Sequence, residues 1–297
     1  MALKLLALDV SLNFIRWIID FLVNRSQSVC FQHALSDSRT TSTGSPQGTV
    51  LSPVLFTLYT NDCIGTNITP VIKYSDDTAI EDLSNSDSIY MQEVERFTTW
   101  CDKNYLELNV KKTKELVIDF RRNPNDIPDL VIKGEKVERV SEYKYLGVVI
   151  DNKLTFTANT NAIHKKCQSR LYCLQKLRSL QVGKGVLQTF YRSFIESLLT
   201  FGFMCWFGGL GLGNKTVLER MVRVCSRVVG ERQRSLNQLY ECRVKRKAKI
   251  ICKDKSHVLA KYYSQLPSGR RYRMPKVKSL RARNSFLPFS ISLLNRN

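Results

Sequence analysis

The sequence predicts an α+β fold: an antiparallel sheet with helices, then an all-α region, then a basic and partly disordered C-terminal tail. Short apolar runs around turn residues recur in the first half of the chain and indicate β-hairpins. Apolar residues at helical spacing dominate the region that follows. Lys and Arg are concentrated toward the C-terminus. We therefore divide the chain into three predicted segments, 1–154, 155–230 and 231–297.

The first segment begins with apolar residues at helical spacing, which predict one helix over residues 3–24. A hairpin over residues 27–41 is predicted next. Residues 43–53 are rich in Gly, Ser and Pro, so we expect a loop there. A helix is predicted to open near Ser52 and Pro53, because Pro suits the first helical position.

Two adjacent carboxylates, Asp76 and Asp77, stand between two short apolar runs. The pattern predicts a β-hairpin with both residues at its turn. Asp is a common turn residue, so the pair has a purely structural interpretation. Two carboxylates at a rigid tip can also hold Mg²⁺, which prefers oxygen ligands. Two such ions about 3.5–4 Å apart stabilise both the attacking and the leaving oxygen in phosphoryl transfer. The pair alone leaves both interpretations open.

The second half of the chain is predicted to be helical and then irregular. Apolar stripes predict helices over residues 156–180, 187–198 and 217–228, with a loop over 208–213. Basic residues crowd 243–255 and 268–283. We expect the latter to form an extended, largely disordered arm. A nuclear-localisation signal and a plain solvated tail both remain possible for it.

Charge is unevenly distributed along the chain, whose formal net charge is +20. Residues 157–297 hold 29 Lys and Arg against 5 Asp and Glu, whereas residues 1–156 hold 17 against 21. A strongly basic second half indicates a polyanionic partner, most simply nucleic acid. A solvated basic region that binds anything negative is the alternative, and charge alone does not decide between them.

The nine Cys are scattered and include no C-x-x-C pair, which argues against a zinc site. Free, mostly buried thiols in a reducing compartment are the better interpretation. No signal peptide is found. The longest apolar run, residues 201–212, is short and interrupted by Gly. We therefore predict an intracellular protein, nuclear and/or cytoplasmic, that is neither secreted nor inserted in a membrane.

Two motifs follow one another along the chain. They are Gly44-x-Pro46-Gln47-Gly48 and Tyr74-x-Asp76-Asp77. Together they closely resemble the reverse transcriptases of LINE-type (non-LTR) retrotransposons. The resemblance continues through residues 17–27, 100–114 and 143–154 and covers most of the chain. It implies that residues 1–154 are part of a palm, residues 155–230 a thumb and residues 231–297 a basic tail.

The resemblance implies RNA-directed DNA polymerisation by two-metal nucleotidyl transfer in the intact family. The cofactor would be Mg²⁺ (or Mn²⁺), and the partners an RNA template, a DNA primer and dNTPs, with thumb contacts mostly to phosphates of the RNA/DNA duplex. The catalytic and metal-binding residues would be Asp76 and Asp77. The nucleotide- and template-binding residues would be Gly44, Pro46, Gln47, Gly48, Tyr74 and Ser75. The primer grip would be Tyr145, Leu146 and Gly147.

A lysine near the catalytic hairpin could act as a general acid toward the leaving pyrophosphate. The resemblance points to Lys112, or to Lys114 in its place, and a solvated lysine is the alternative for either position.

One departure from the family concerns its first catalytic Asp, which we expect upstream of Met1. Asp9 and Asp20 cannot replace it, because the resemblance places both within or near the first predicted helix. Two neighbouring Asp residues on one turn are insufficient to position two metal ions. We therefore expect a truncated polymerase with weak or no catalysis. A non-catalytic nucleic-acid-binding remnant is the alternative.

Residues 157–197 also look similar to a segment at the N-terminus of AlkB-homologue proteins. We expect no dioxygenase chemistry from this likeness. Such enzymes need a His-x-Asp and a distant His around Fe(II), and none of the three His residues begins that motif.

Overall fold

The structure is a computed structural model that describes residues 1–66, 68–83, 86–122 and 127–296. The chain forms two compact units. The first comprises residues 1–113 and 126–137, and the second comprises residues 114–125 and 138–297. Neither unit ends at residue 154 or 230, so the three segments drawn from the sequence do not coincide with compact units. Their functional division stays a prediction.

The helices in chain order are α1 (Ala2–Leu6), α2 (Leu12–Leu22), α3 (Leu51–Tyr59), α4 (Asp87–Lys103), α5 (Thr157–Ser179), α6 (Lys184–Phe190), α7 (Ser197–Leu199), α8 (Phe203–Trp206), α9 (Leu212–Val229), α10 (Leu236–Lys253), α11 (Leu280–Asn284) and α12 (Phe286–Leu294). A π-helical turn, Tyr191–Glu196, joins α6 to α7. A 3₁₀ turn, Ala260–Tyr262, follows α10.

The strands in chain order are β1 (Arg25–Gln27), β2 (Cys30–Phe31), β3 (Ala34–Leu35), β4 (Arg39–Thr41), β5 (Val71–Tyr74), β6 (Asp77–Ile80), β7 (Lys114–Glu115), β8 (Val131–Ile132), β9 (Glu135–Lys136), β10 (Glu138–Arg139), β11 (Glu142–Tyr145) and β12 (Val148–Asp151). The antiparallel pairs are β1–β4, β2–β3, β5–β6, β8–β9 and β11–β12, and β7 pairs with β10 in parallel.

The mixture of helices and small antiparallel ladders confirms the α+β class. The expected antiparallel sheet, however, is not a single sheet in the described residues, because each ladder contains only two strands. The strands are short, with two to four residues each, because turn residues interrupt them. The predicted hairpin over 27–41 is confirmed and consists of β1–β4 enclosing β2–β3.

The predicted helix over residues 3–24 is wrong in one respect, because the chain turns between α1 and α2. Asp9 lies in the left-handed region with a φ of 56°, a conformation that Asp tolerates better than most residues. The turn lets Leu5 of α1 pack against Ile15 and Ile18 of α2 in one cluster. The apolar periodicity runs through this turn, which is why it suggested one long helix.

The core of the second unit is built mainly from α5, the α6–α7 segment, α8, α9 and α10. Its largest fully buried side chains include Trp206, Tyr191 and Phe207. The predicted helix over 156–180 is confirmed as α5. The predicted loop over 208–213 ends earlier, since α9 already begins at Leu212, and α9 is longer than the predicted 217–228.

The C-terminal region is more ordered than its composition predicts. Helix α10 covers most of the basic stretch 243–255, and Ile291 of α12 is fully buried. In the expected disordered arm, the backbone N–H of Tyr272 donates to Asn295 Oδ1 at 2.8 Å, and the Asn295 amide donates back at 3.0 Å. The reason is that apolar residues among the charges, such as Tyr263 and Tyr272, pack against α10 and α12.

The nine cysteines are free, as predicted, but they are not mostly buried. Cys63, Cys101, Cys167 and Cys225 are buried, whereas Cys30, Cys173, Cys205 and Cys242 are exposed and Cys252 is intermediate. Burial raises the pKa of the Cys167 thiol and of the Cys225 thiol to about 12 each. These two thiols therefore remain protonated at neutral pH. None of the described helices is both long and apolar enough to cross a membrane.

Candidate active site

The two adjacent carboxylates lie at the tip of the β5–β6 hairpin. Tyr74 pairs with Asp77 as the last residues of the ladder. Ser75 and Asp76 form the connecting turn, and Ser75 has a φ of 55°, which a two-residue hairpin turn accommodates. The predicted hairpin is therefore confirmed, with the refinement that Asp77 is the first residue of β6 rather than part of the turn.

The hairpin is held from one face only. Val71 and Ile80 pack against the buried cluster of Cys63, Phe97 and Cys101. Tyr74 is 65% exposed on the other face. The alternation of inward and outward residues follows the two-residue period of a strand, and it leaves the tip projecting into solvent.

Asp76 and Asp77 are both exposed. Within the described ranges, no hydrogen bond or ion pair engages either carboxylate. The same ranges contain no group of three or more His, Cys, Asp or Glu side chains that could hold a metal ion. Asp9 and Asp20 accordingly add no third ligand to the pair. The two carboxylates fit Mg²⁺ as oxygen donors, but the described residues do not complete a metal site by themselves.

The loop with Pro46 and Gln47 is shaped by two glycines in left-handed conformations. The φ angles are 67° for Gly44 and 76° for Gly48, and side chains other than Gly adopt such angles at a cost. Gln47 is exposed on this loop. Nothing crowds the position of a Cβ at either glycine, so their requirement for Gly comes from the backbone angle alone.

Side chains that the sequence reasoning missed fix both ends of this loop. Arg25 donates from Nη2 to the carbonyl oxygens of Thr43 at 2.6 Å and Gly44 at 3.2 Å. The Ser52 hydroxyl donates to the Pro46 carbonyl at 2.5 Å, and the Ser52 N–H donates to the Thr49 hydroxyl at 3.3 Å. The detectable signal was the hydroxyl residue Thr49 ahead of α3, a typical partner for the free N–H groups of a first turn.

The two candidate lysines differ in their surroundings. Lys112 lies in the turn ahead of β7, where its backbone N–H donates to the carbonyl and the side-chain oxygen of Asn109, both at 3.1 Å. Its side chain is exposed. Lys114 instead forms an ion pair with Glu138 at 2.5 Å. Lys112 thus has the more accessible ammonium of the two, and its role as a general acid stays a prediction.

The predicted primer-grip residues form a second tight hairpin, β11–β12. Tyr145 pairs with Val148, and Leu146 and Gly147 form the two-residue turn with φ angles of 45° and 88°. Positive φ at both positions matches a type I′ turn. A Cβ on Gly147 would lie 3.0 Å from a ring carbon of Phe201, so this turn packs closely on the loop after α7. The grip role itself stays a prediction.

Asp151, at the end of β12, organises the start of α5. Its carboxylate accepts hydrogen bonds from the backbone N–H groups of Lys153, Thr155 and Phe156 at 3.1, 3.0 and 2.6 Å. The Thr155 hydroxyl also donates to it at 3.2 Å. Burial by itself raises the pKa of Asp151, but these hydrogen bonds outweigh it and lower the pKa below its ordinary value.

Replacement of Asp151 by Ala is expected to lower the free energy of unfolding by about 2 kcal/mol, the upper range for loss of a capping side chain. Because the folded-state pKa is lowered, the carboxylate stabilises the fold above its unfolded pKa of about 3.9. That contribution is lost as pH falls through the folded pKa. Urea unfolding between pH 7 and pH 3 should therefore show a difference that shrinks in acid. Glu241→Ala, an exposed change on α10, is the control, and a pH-independent difference would contradict the assignment.

The sequence of this chain is similar to known proteins over about two thirds of its length. Residues 4–150 match the family model described as reverse transcriptase (RNA-dependent DNA polymerase). The chain is 26% identical over 219 residues to the RNA-directed DNA polymerase from mobile element jockey of Drosophila melanogaster. It is 24% identical over 220 residues to the probable RNA-directed DNA polymerase from transposon X-element of the same species. The chain belongs to the LINE-type reverse transcriptases.

The aligned part of this LINE-type reverse transcriptase is large in the chain and small in its relatives. The match to the jockey protein covers 68% of the chain and 23% of the relative, and the match to the X-element protein covers 70% and 24%. The jockey protein of Drosophila funebris is 28% identical over 51% of the chain and 18% of the relative. The chain therefore spans less than a quarter of the length of these relatives.

Residues 156–197 match a second family model, described as alkylated DNA repair protein alkB homolog 8, N-terminal. This match falls on α5 and the α6–α7 segment, which agrees with the likeness noted from the sequence. No solved structure matches the chain.

Proposed function

We propose that this chain takes part in RNA-directed DNA synthesis, as the part of a reverse transcriptase that carries the Asp76–Asp77 hairpin and a nucleic-acid-binding helical region. The observation that supports this most is the hairpin tip, where two exposed carboxylates have no partner within the described residues. The substrates would be an RNA template, a DNA primer and dNTPs. The site of action would be inside the cell, in the nucleus or the cytoplasm.

Asp76 and Asp77 would hold Mg²⁺ or Mn²⁺ together with oxygens of the substrate phosphates. Magnesium in polymerase sites is bound by one or two carboxylates plus phosphate oxygens, which fits a tip with two donors. When bound, the metal supplies charge stabilisation to the reacting phosphate. The loop around Gln47 would approach the nucleotide and the template base, since its two glycines leave the backbone accessible.

The second unit would bind the RNA/DNA duplex through phosphates. Helix α9 presents Arg220, Arg223 and Arg227 as exposed residues at spacings of three and four, which place them on one face. The opposite face is buried and includes Met221, Val222 and Cys225. Such a stripe suits sequence-independent contacts to a phosphate backbone.

Catalysis by this chain alone would be weak, because the described residues bring no third carboxylate to the pair. This observation favours a second candidate function, in which the chain binds nucleic acid without extending a primer. The two candidates share the binding step and differ only in the use of Asp76 and Asp77.

Binding to a fluorescein-labelled RNA/DNA duplex, followed by anisotropy, tests the shared step. We expect binding that weakens steeply with salt and is the same for wild type and for Asp76→Asn/Asp77→Asn, because the tip carboxylates do not bind phosphates directly. Absence of binding at low salt would contradict the proposed function. A double variant that loses its affinity would show that the tip, rather than the helical region, binds the duplex.

A further inference from the structure

Three cations from three different elements converge on the carboxyl end of α3. Lys4 of α1 donates to the Tyr59 carbonyl at 2.6 Å. Lys73 of β5 donates to the carbonyl oxygens of Thr60 and of Cys63, the latter at 2.8 Å. Arg96 of α4 donates to the Ile64 carbonyl. We call these three cations and the four carbonyl oxygens they contact the α3 carboxyl-end cluster.

Two of the four carbonyl groups, those of Tyr59 and of the C-cap residue Thr60, lie at the end of α3, and those of Cys63 and Ile64 lie in the segment that follows. The Thr60 carbonyl also accepts from the backbone N–H of Cys63 at 3.1 Å. The last carbonyl oxygens of a helix have no partner within the helix and carry a partial negative charge. Ammonium and guanidinium groups are suitable donors for them, and hydrogen bonds from a charged donor are stronger than those between neutral groups. The cluster therefore ties α1, β5 and α4 to residues 59–64, which begin with the last residue of α3.

Lys73 differs from the other two cations because it belongs to the hairpin that carries the carboxylate pair. It occupies a half-buried position of β5 that alternates with the exposed Ile72 and Tyr74. Apolar residues are usual at inward-facing strand positions. The Lys73 ammonium donates to carbonyl oxygens at and after the end of α3. A charged residue at this inward-facing position therefore has defined partners.

The two ends of α3 face different parts of the candidate active site. The helix begins three residues after Gly48, at the end of the Gln47 loop, and its other end lies in the cluster. Its nine residues correspond to a length of about 13 Å. Asp76 follows Lys73 by three positions along β5 and its turn. If the hairpin is fastened to the carboxyl end of α3, this helix sets the distance between the Gln47 loop and the hairpin.

We propose that Lys73 is a positioning residue, which fastens the hairpin to the carboxyl end of α3 and so fixes Asp76 and Asp77 relative to the Gln47 loop. Its catalytic consequence rests on the proposed function, whereas the fastening itself does not. Lys4 is the matched comparison, because it contacts the same cluster from α1 without touching the hairpin.

Hydrogen–deuterium exchange of residues 71–80 tests the fastening without any activity. In Lys73→Met we expect the hairpin amides to exchange about tenfold faster, with α1 and α2 unchanged. Lys73→Arg should restore wild-type exchange, since guanidinium can donate to the same carbonyl oxygens. Lys4→Met should leave the hairpin unchanged. Unchanged hairpin exchange in Lys73→Met would overturn the proposal, as would faster exchange over the whole first unit.

Primer extension tests the catalytic consequence with the same variants. If the wild type extends a primer, Lys73→Met should lower kcat about tenfold with little change in KM for dNTP, and Lys73→Arg should restore kcat. An unchanged kcat beside a loosened hairpin would overturn the positioning role. If the wild type extends no primer, the catalytic part of the proposed function fails by itself, and the exchange pattern still decides whether Lys73 fastens the hairpin.

Discussion

Replacement of Trp206 by Ala is expected to lower the free energy of unfolding of the second unit by about 4 kcal/mol, a large fraction of the stability of an ordinary domain. Trp206 is fully buried, and its ring meets Phe203 edge-on with centroids 5.5 Å apart. Its indole N–H donates to the Phe201 carbonyl at 2.8 Å. The substitution therefore leaves a large cavity and also removes the donor for a carbonyl in the turn that carries Gly202.

The matched control for this prediction is Trp17→Ala in the first unit. Trp17 is 53% exposed and stacks on Phe21, with centroids 6.1 Å apart. We expect it to cost less than about 1 kcal/mol, in the range of surface changes. Urea unfolding followed by circular dichroism compares the two variants. Equal losses of stability would show that the buried Trp206 stabilises the second unit no more than the exposed Trp17 stabilises the first.

The second large effect concerns the salt dependence of duplex binding. Replacement of Arg220, Arg223 and Arg227 by Gln should reduce the slope of log K against log salt by about 2 to 3, because each lost phosphate contact removes about 0.9. The affinity at moderate salt should fall by one to two orders of magnitude, roughly, since each contact contributes through released counterions. Anisotropy titrations from about 50 to 200 mM salt measure the slope.

A second triple variant separates this stripe from the overall charge. Arg273→Gln/Lys276→Gln/Lys278→Gln removes the same number of charges from exposed positions in the irregular segment before α11. We expect its slope to change little, because these residues lack the regular spacing of the α9 stripe. Equal effects of the two triple variants would mean that binding follows net charge rather than the face of α9.

Local patterns predicted the parts of this molecule that local physics determines. The hairpin at Asp76 was predictable, because alternation and turn residues fix it within ten positions. The hairpin at Gly147 followed from the family resemblance alone. The loop around Gln47 followed from its Gly and Pro content. The family resemblance assigned functional roles to the two hairpins and to this loop. Those roles agree with the geometry and stay predictions.

Features that depend on contacts distant in sequence were not predictable. The turn at Asp9 interrupts no periodicity, and only the packing of Leu5 on α2 reveals it. The charge of the C-terminal arm did not predict the contacts of Tyr272, because its partner Asn295 lies 23 positions later and the cluster it joins belongs to α10 and α12. The contacts of Lys73 had no signal in the sequence, because its carbonyl partners lie 10 and 13 positions earlier.

We propose above that Asp76 and Asp77 are the carboxylates of a polymerase site, on a chain that binds the duplex through its helical region. Primer extension on a primed RNA template with Mg²⁺ and dNTPs tests it most directly, with wild type beside Asp76→Asn/Asp77→Asn at equal occupancy of the duplex. We expect extension by the wild type to be slow and to disappear in the double variant. Measurable extension at the same rate by both proteins would contradict the role of the two carboxylates, and no extension by the wild type would leave only nucleic-acid binding.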